Sequence, residues 1–103
     1  MTHYNDVALE AALLCDVPAA RRFVRHELGP LNSKDARTRV LRDTLGSYLQ
    51  AGLNAAAAGA VLNVSDRTIA YRIHSIENLL GHCVLARSSE LAAAIRLHRV
   101  LNS

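Results

Sequence analysis

Four side chains able to bond a polar surface recur at helical spacing in this chain: Arg67, Tyr71, His74 and Asn78. At about 100° per residue they share one side of a helix. Ile69, Ile73, Ile76 and Leu80 draw an apolar stripe along the opposite side. Thr68 and Ser75 fall on one shoulder of the polar face, and Arg72 falls near the apolar boundary. Donors, acceptors and a ring on one face are what base edges and phosphates in a major groove require. An ordinary amphipathic helix with a solvated face has the same pattern. The flanking residues must separate the two.

Those residues read as a helix-turn-helix over 54–81, NAAAAGAVLNVSDRTIAYRIHSIENLLG. Asn54 is a good N-cap for a first helix ending near Leu62. Ala55 to Ala58, Gly59 and Ala60 keep that helix thin, so a partner helix can pack close, and Ala58 and Gly59 are placed to meet Ile69 and Ile73. Leu62 to Ser65 form the turn, with Asn63 suited to the left-handed conformation that ends a helix. Ser65 caps the second helix and Asp66 suits the positive end of its dipole. Gly81 closes it. A short turn after an alanine-packed helix favours DNA binding over the plain amphipathic helix. The candidate DNA-contacting residues are therefore Asn54, Ser65, Arg67, Thr68, Tyr71, Arg72, His74 and Ser75.

The remaining chain must hold this pair in place. Residues 6–14 read most simply as a short helix, with a strand as the alternative. Asp16 caps a helix of about 17–28, with Ala20, Phe23, Val24 and Leu28 inside, Arg21, Arg22 and Arg25 outside, and Gly29-Pro30 as its stop. Ser33 caps a longer helix of about 34–51, with Val40, Leu41, Leu45, Tyr48 and Leu49 inside and a basic outer side. Asp35–Arg39 and Arg39–Asp43 are spaced for i,i+4 pairing. After Gly81 a short loop leads to Ser88 or Ser89, either able to cap a last helix to about Leu101. Leu91, Ala94, Ile95 and His98 share one side of it, His98 reading as a core or interface histidine. The expected fold is all-α, a small bundle of four to six helices.

With 103 residues, 50% hydrophobic but only 4% aromatic, packing falls to Leu, Ile, Val and Ala. The net charge of +3 is uneven. Residues 1–16 carry −3, residues 17–51 carry +4, from seven basic against three acidic groups, and residues 52–103 carry +2, from five against three. Within the motif Arg67 and Arg72 balance Asp66 and Glu77, so phosphate attraction must come largely from flanking helices. Cys15 and Cys83 read as reduced, buried thiols of a cytoplasmic protein. His74, His82 and Cys83 lack metal-ligand spacing, and neither a metal nor a cofactor is expected. Paired carboxylates on one face, a Ser-His-Asp set and a glycine-rich phosphate loop are all missing from the pattern, so no enzyme is expected. No apolar run has membrane length, and VALEAALLC is not read as a leader or anchor.

The stretch VLRDTLGSYLQAGLNAAAAGAVLNVSDRTIAYRIHSIENLLG, followed by SSELAAAIRLHRVL, resembles the C-terminal DNA-binding domain of the purine catabolism regulator (PucR-like) family. That family includes sugar-diacid regulators and its helix-turn-helix is of the Fis type. Thr68, Tyr71-Arg72, Ile76-Glu77 and Gly81 carry the likeness, which covers roughly residues 19–101. The chain departs from the family at Asp66 and Arg67, where Arg and Asn are usual, and at Ala70, His74 and Ser75, where the family is often basic.

The resemblance implies a bacterial transcription regulator that binds an operator in double-stranded DNA through the helix led by Ser65. Residues 1–32 would be a helical lead-in and 33–103 the DNA-binding domain, with the sensory region of longer relatives absent. A homodimer is expected, joined through the N-terminal helix or the Leu91–Ile95–His98 side. The competing expectation, supported by the motif's neutral charge, is a helical dimerisation or protein-interaction module with little DNA affinity.

Overall fold

A computed structural model describes residues 15–102, all helices and turns, with no strand among the described residues. The helix expected over 6–14 lies outside the described residues. Five α-helices follow in order: α1 (Val17–Leu28), α2 (Ala36–Gln50), α3 (Ala55–Leu62), α4 (Asp66–Leu80) and α5 (Ser88–Leu101). One-turn 3-10 helices at Gly29–Asn32 and Val84–Arg87 join α1 to α2 and α4 to α5. This is the expected all-α bundle.

Local chemistry sets most helix ends. Asp16 accepts from the Ala19 N–H and Pro18 occupies the first turn of α1, where its missing N–H costs nothing. Past α2 the chain reverses through a Schellman turn. The Gly52 N–H bonds to the Leu49 carbonyl and the Leu53 N–H to the Tyr48 carbonyl. Gly52 and Leu53 both take positive φ, 68° and 65°. For Leu53 that is strained, and its side chain packing against the core offsets the strain.

Two caps differ from expectation. Asp35, not Ser33, caps α2, which begins at Ala36 rather than 34 and ends at Gln50. The Asp35 carboxylate accepts from the Thr38 N–H at 3.0 Å, the Thr38 hydroxyl at 2.7 Å and the Ser33 hydroxyl. These bonds hold its pKa at about 2, below the usual carboxylate value. So engaged, Asp35 does not pair with Arg39. The ion pair that forms among the described residues is Arg87 with Glu27. At the start of α5 neither Ser88 nor Ser89 caps, because the 3-10 turn runs straight into the helix with Arg87 at the cap position.

One core joins every helix. It contains Val24 and Leu28 of α1, Leu31 of the first 3-10 turn, Leu41 and Leu45 of α2, Ala58 of α3, Ile69, Ile73 and Ile76 of α4, Val84, and Leu91, Ala94, Ile95 and Leu97 of α5. Val40, expected inside, is 43% exposed, and Thr44 is buried instead. The angles explain the exchange: relative to Leu41, position 44 lies about 60° away around the helix and position 40 about 100°. Thr44 is tolerated there because its hydroxyl donates to the Val40 carbonyl at 2.8 Å. Both cysteines are exposed rather than buried, Cys15 just before α1 and Cys83 in the loop after α4.

Candidate nucleic-acid interface

The α3–turn–α4 unit is built by its caps and by one glycine. The Asn54 side chain accepts from the Ala57 N–H at 3.0 Å and begins α3. Asn63 ends it in the left-handed region, φ 59°, and the Val64 N–H returns to the Gly59 carbonyl at 2.9 Å. Ser65 then accepts from the Thr68 N–H at 3.1 Å and starts α4. Gly81, with φ 80°, closes α4.

Gly59 decides how closely the unit folds on itself. A Cβ there would lie 2.6 Å from the Val64 carbonyl oxygen, 3.3 Å from the Ser65 carbonyl carbon and 3.4 Å from the Asp66 nitrogen. The glycine therefore faces the backbone of the turn and of the first residue of α4, and not the Ile69 and Ile73 side chains expected opposite it. α3 rests on the entry to α4, so the position of α4's first turn depends on the absence of that one carbon.

The polar row expected on α4 is exposed. Arg67, Tyr71, His74 and Asn78 all face solvent while Ile69, Ile73 and Ile76 are buried beneath. Tyr71 is 69% exposed, a large aromatic surface left outside a core that contains no other aromatic ring of α4. Ser75 is half-buried on the shoulder. Thr68 is also half-buried, and its hydroxyl lies 2.9 Å from that of Ser65, so both hydroxyls serve the start of the helix. Asn54 and Ser65 stand exposed at the N-termini of α3 and α4.

Arg72 leaves this row. Its stem is half-buried and its Nη1 donates to the Thr44 hydroxyl of α2 at 3.3 Å. Glu77, which balances its charge within the motif, accepts from the Val84 N–H at 2.8 Å and anchors the second 3-10 turn. Arg72 thus ties α4 to α2 across a sequence separation of 28 residues. Reading the sequence missed Thr44 because no local pattern marks a threonine as an acceptor for so distant a donor.

It likewise missed Glu27, which is 4% exposed and bonded to Arg87 Nε at 3.0 Å and Nη2 at 2.5 Å. This bidentate pair clamps α1 to the turn before α5, and the neighbouring carboxylate raises the Arg87 pKa above its already high usual value. No cluster of three or more metal-ligating side chains occurs among the described residues, and no helix among them is long and apolar enough to cross a membrane.

No curated protein and no solved structure matches the chain. One protein family does, that of the PucR C-terminal helix-turn-helix domain, over residues 41–98. The matched span runs from the middle of α2 through α3, the turn and α4 into α5, and so contains the whole unit that presents the polar row. On that match and that geometry, the chain belongs to the PucR C-terminal helix-turn-helix family, whose members are regulatory DNA-binding domains.

Proposed function

We infer that this chain is the sequence-specific DNA-binding domain of a bacterial transcription regulator, with α4 as the helix that enters the major groove. The observation that carries the reading is the solvent-facing row Arg67, Tyr71 and His74, set on a helix whose first turn is fixed by Gly59. Recognition helices enter a groove by their N-terminal turns. Arg67 and Tyr71 are the base readers in this assignment, with Thr68 beside them and His74 and Ser75 further along. Asn54 and Ser65 present helix N-termini to phosphates. Arg72 reaches a phosphate from a side chain already anchored on Thr44.

Assembly follows from charge. A motif with no net charge supplies little of the electrostatic affinity that operators demand. Two copies on a two-fold axis would couple two weak half-site contacts, with α4 helices about 34–36 Å apart. In this reading residues 33–103 form the DNA-binding domain and 1–32 the lead-in, and the site of action is the cytoplasm.

Selection of bound duplexes from a random pool tests both parts. A shared half-site enriched as a palindrome is expected. Recovery of unrelated sequences would leave the alternative, a helical interaction module. Sedimentation showing one 11.2 kDa species that binds one half-site one-to-one would remove the dimer.

A further inference from the structure

On the side of α2 away from α4, the bundle holds a second polar site that the DNA face does not use. Arg39, Arg42 and Asp43 of α2 face His98 and Arg99 of α5, with Asn102 at its end, around a cleft of about 230 Å³. Three guanidiniums stand against one carboxylate, an excess of positive charge in a small concave space. Planar guanidinium forks match tetrahedral and planar oxyanions, and several converging forks are the usual protein answer to phosphate.

One of these arginines is held by the fold, and a second lies against it. Arg42 Nη1 donates to the Leu31 carbonyl at 2.7 Å and to the Ser33 carbonyl, which fixes its head at the cleft wall. Arg99 lies across α2 over Gly46, where an added Cβ would come within 2.6 Å of its Nη2 and 3.4 Å of Ile95 Cγ2. The nearby end of α5 would normally repel an anion through its open carbonyls. Asn102 engages one of these, donating with its backbone N–H and its Nδ2 to the His98 carbonyl, at 3.1 and 2.8 Å.

We propose that this α2–α5 cleft is an oxyanion site for a small phosphate-class ligand, separate from the DNA-contacting face. Its direction argues for a small ligand over a nucleic-acid backbone. Thr44, which meets Arg72 of α4, and Gly46, which meets α5, are about 200° apart around α2. A duplex lying on the far side of α4 is therefore on the opposite side of the bundle from the cleft. The cleft reports its own occupancy, too. Burial, Arg42 and Arg99 hold the His98 pKa below its usual value, and an anion between those groups reverses the last two causes.

The test is a pH titration of the histidine ring resonances in the full chain, with the His98 signal assigned by its loss in His98→Gln. It is run in sodium chloride and in inorganic phosphate at equal ionic strength. Phosphate is expected to raise the His98 midpoint beyond the chloride value. Arg39→Gln combined with Arg99→Gln should abolish the difference while leaving the melting temperature near the parent's. If that pair of substitutions unfolds the chain, Arg39→Gln alone, at an exposed position, should halve the response or more. Equal midpoints in the two salts would mean simple screening and overturn the site. So would a phosphate effect that survives the substitutions, or a His98 shift produced by a short DNA duplex and not by phosphate.

Discussion

Two glycines in this bundle sit where an added Cβ would lie 2.6 Å from its nearest neighbour, and the neighbours differ in kind. At Gly59 it is the Val64 carbonyl oxygen, part of the turn that aims α4. At Gly46 it is the far end of the Arg99 side chain. Backbone in a tight turn cannot retreat without moving the helix that follows, whereas a guanidinium can swing into solvent. The α3–α4 junction is therefore rigid and the α2–α5 junction adjustable. A rigid junction suits a helix that must present side chains in a fixed register, and an adjustable one suits a cleft that closes around something small.

The largest stability effect is expected at Gly59. Gly59→Ala should destabilise by about 1–3 kcal/mol through overpacking, and Gly59→Leu by at least as much. Thermal unfolding reads this directly. A melting temperature equal to the parent's for the leucine variant would show that α3 does not rest on the turn, and the contrast with Gly46 would collapse.

Arg67→Ala should leave folding unchanged, since Arg67 is exposed on the outer face, and cost about 1–3 kcal/mol on a selected site. Titrations against substituted duplexes check the second half. The loss should concentrate at one base position, and a uniform loss would make Arg67 a phosphate contact.

Arg72→Ala should do less to stability, about 0.5–1.5 kcal/mol, because its bond to Thr44 is long and half-buried. Binding should weaken evenly across DNA sequences. Thr44→Val gives the control: if α4 is tied to α2 through this bond, the double variant should lose less than the sum of the two singles. Additive losses would break the tie.

What the sequence made legible follows the same division. Asn54, Asn63, Ser65 and Gly81 act on backbone groups within a few residues, and the Ile69–Ile73–Ile76 stripe is a regular period. The helix-turn-helix unit is thus legible without any tertiary contact. Gly59 was placed correctly as a point of close approach, but its neighbour, a turn carbonyl, depends on how the turn folds back. Thr44 with Arg72, Glu27 with Arg87, and Arg42 with Leu31 join residues 28, 60 and 11 positions apart, and no period encodes such pairs. The basic side of α2 shows the limit most clearly. As a sequence it is a solvated charged face, yet Arg42 is fastened to two carbonyls and Arg39 lines a cleft with α5. Charge alone located neither site: the exposed polar row of α4 belongs to a neutral motif.

The cleft also makes a pH prediction. His98 has its folded-state pKa lowered by burial, Arg42 and Arg99, so the unfolded chain binds its proton more readily. Stability from this group is therefore fully present above the ordinary histidine pKa of about 6.5 and is lost as pH falls through the lower folded value. Asp35 acts in the same direction further down, from the ordinary 3.8 to about 2. Melting temperature against pH should decline below about 6.5, and His98→Gln should flatten the upper part of that decline. An unchanged slope in the variant would remove His98 as its source.

The smallest stability change is expected from Gly46→Ala, and it sharpens the comparison most. Alanine gains about 1 kcal/mol of helix propensity over glycine in a helix interior. Against this stands the displacement of an exposed Arg99 head, with Ile95 Cγ2 at 3.4 Å from the new methyl still within ordinary contact. The two effects should nearly cancel, leaving the melting temperature close to the parent's where Gly59→Ala lowers it clearly. Moving Arg99 aside also removes one of the charges that depress His98, so the His98 midpoint should rise toward its ordinary value. A large loss of stability in Gly46→Ala would mean that Arg99 cannot yield, and that the α2–α5 junction is as rigid as the one that aims α4.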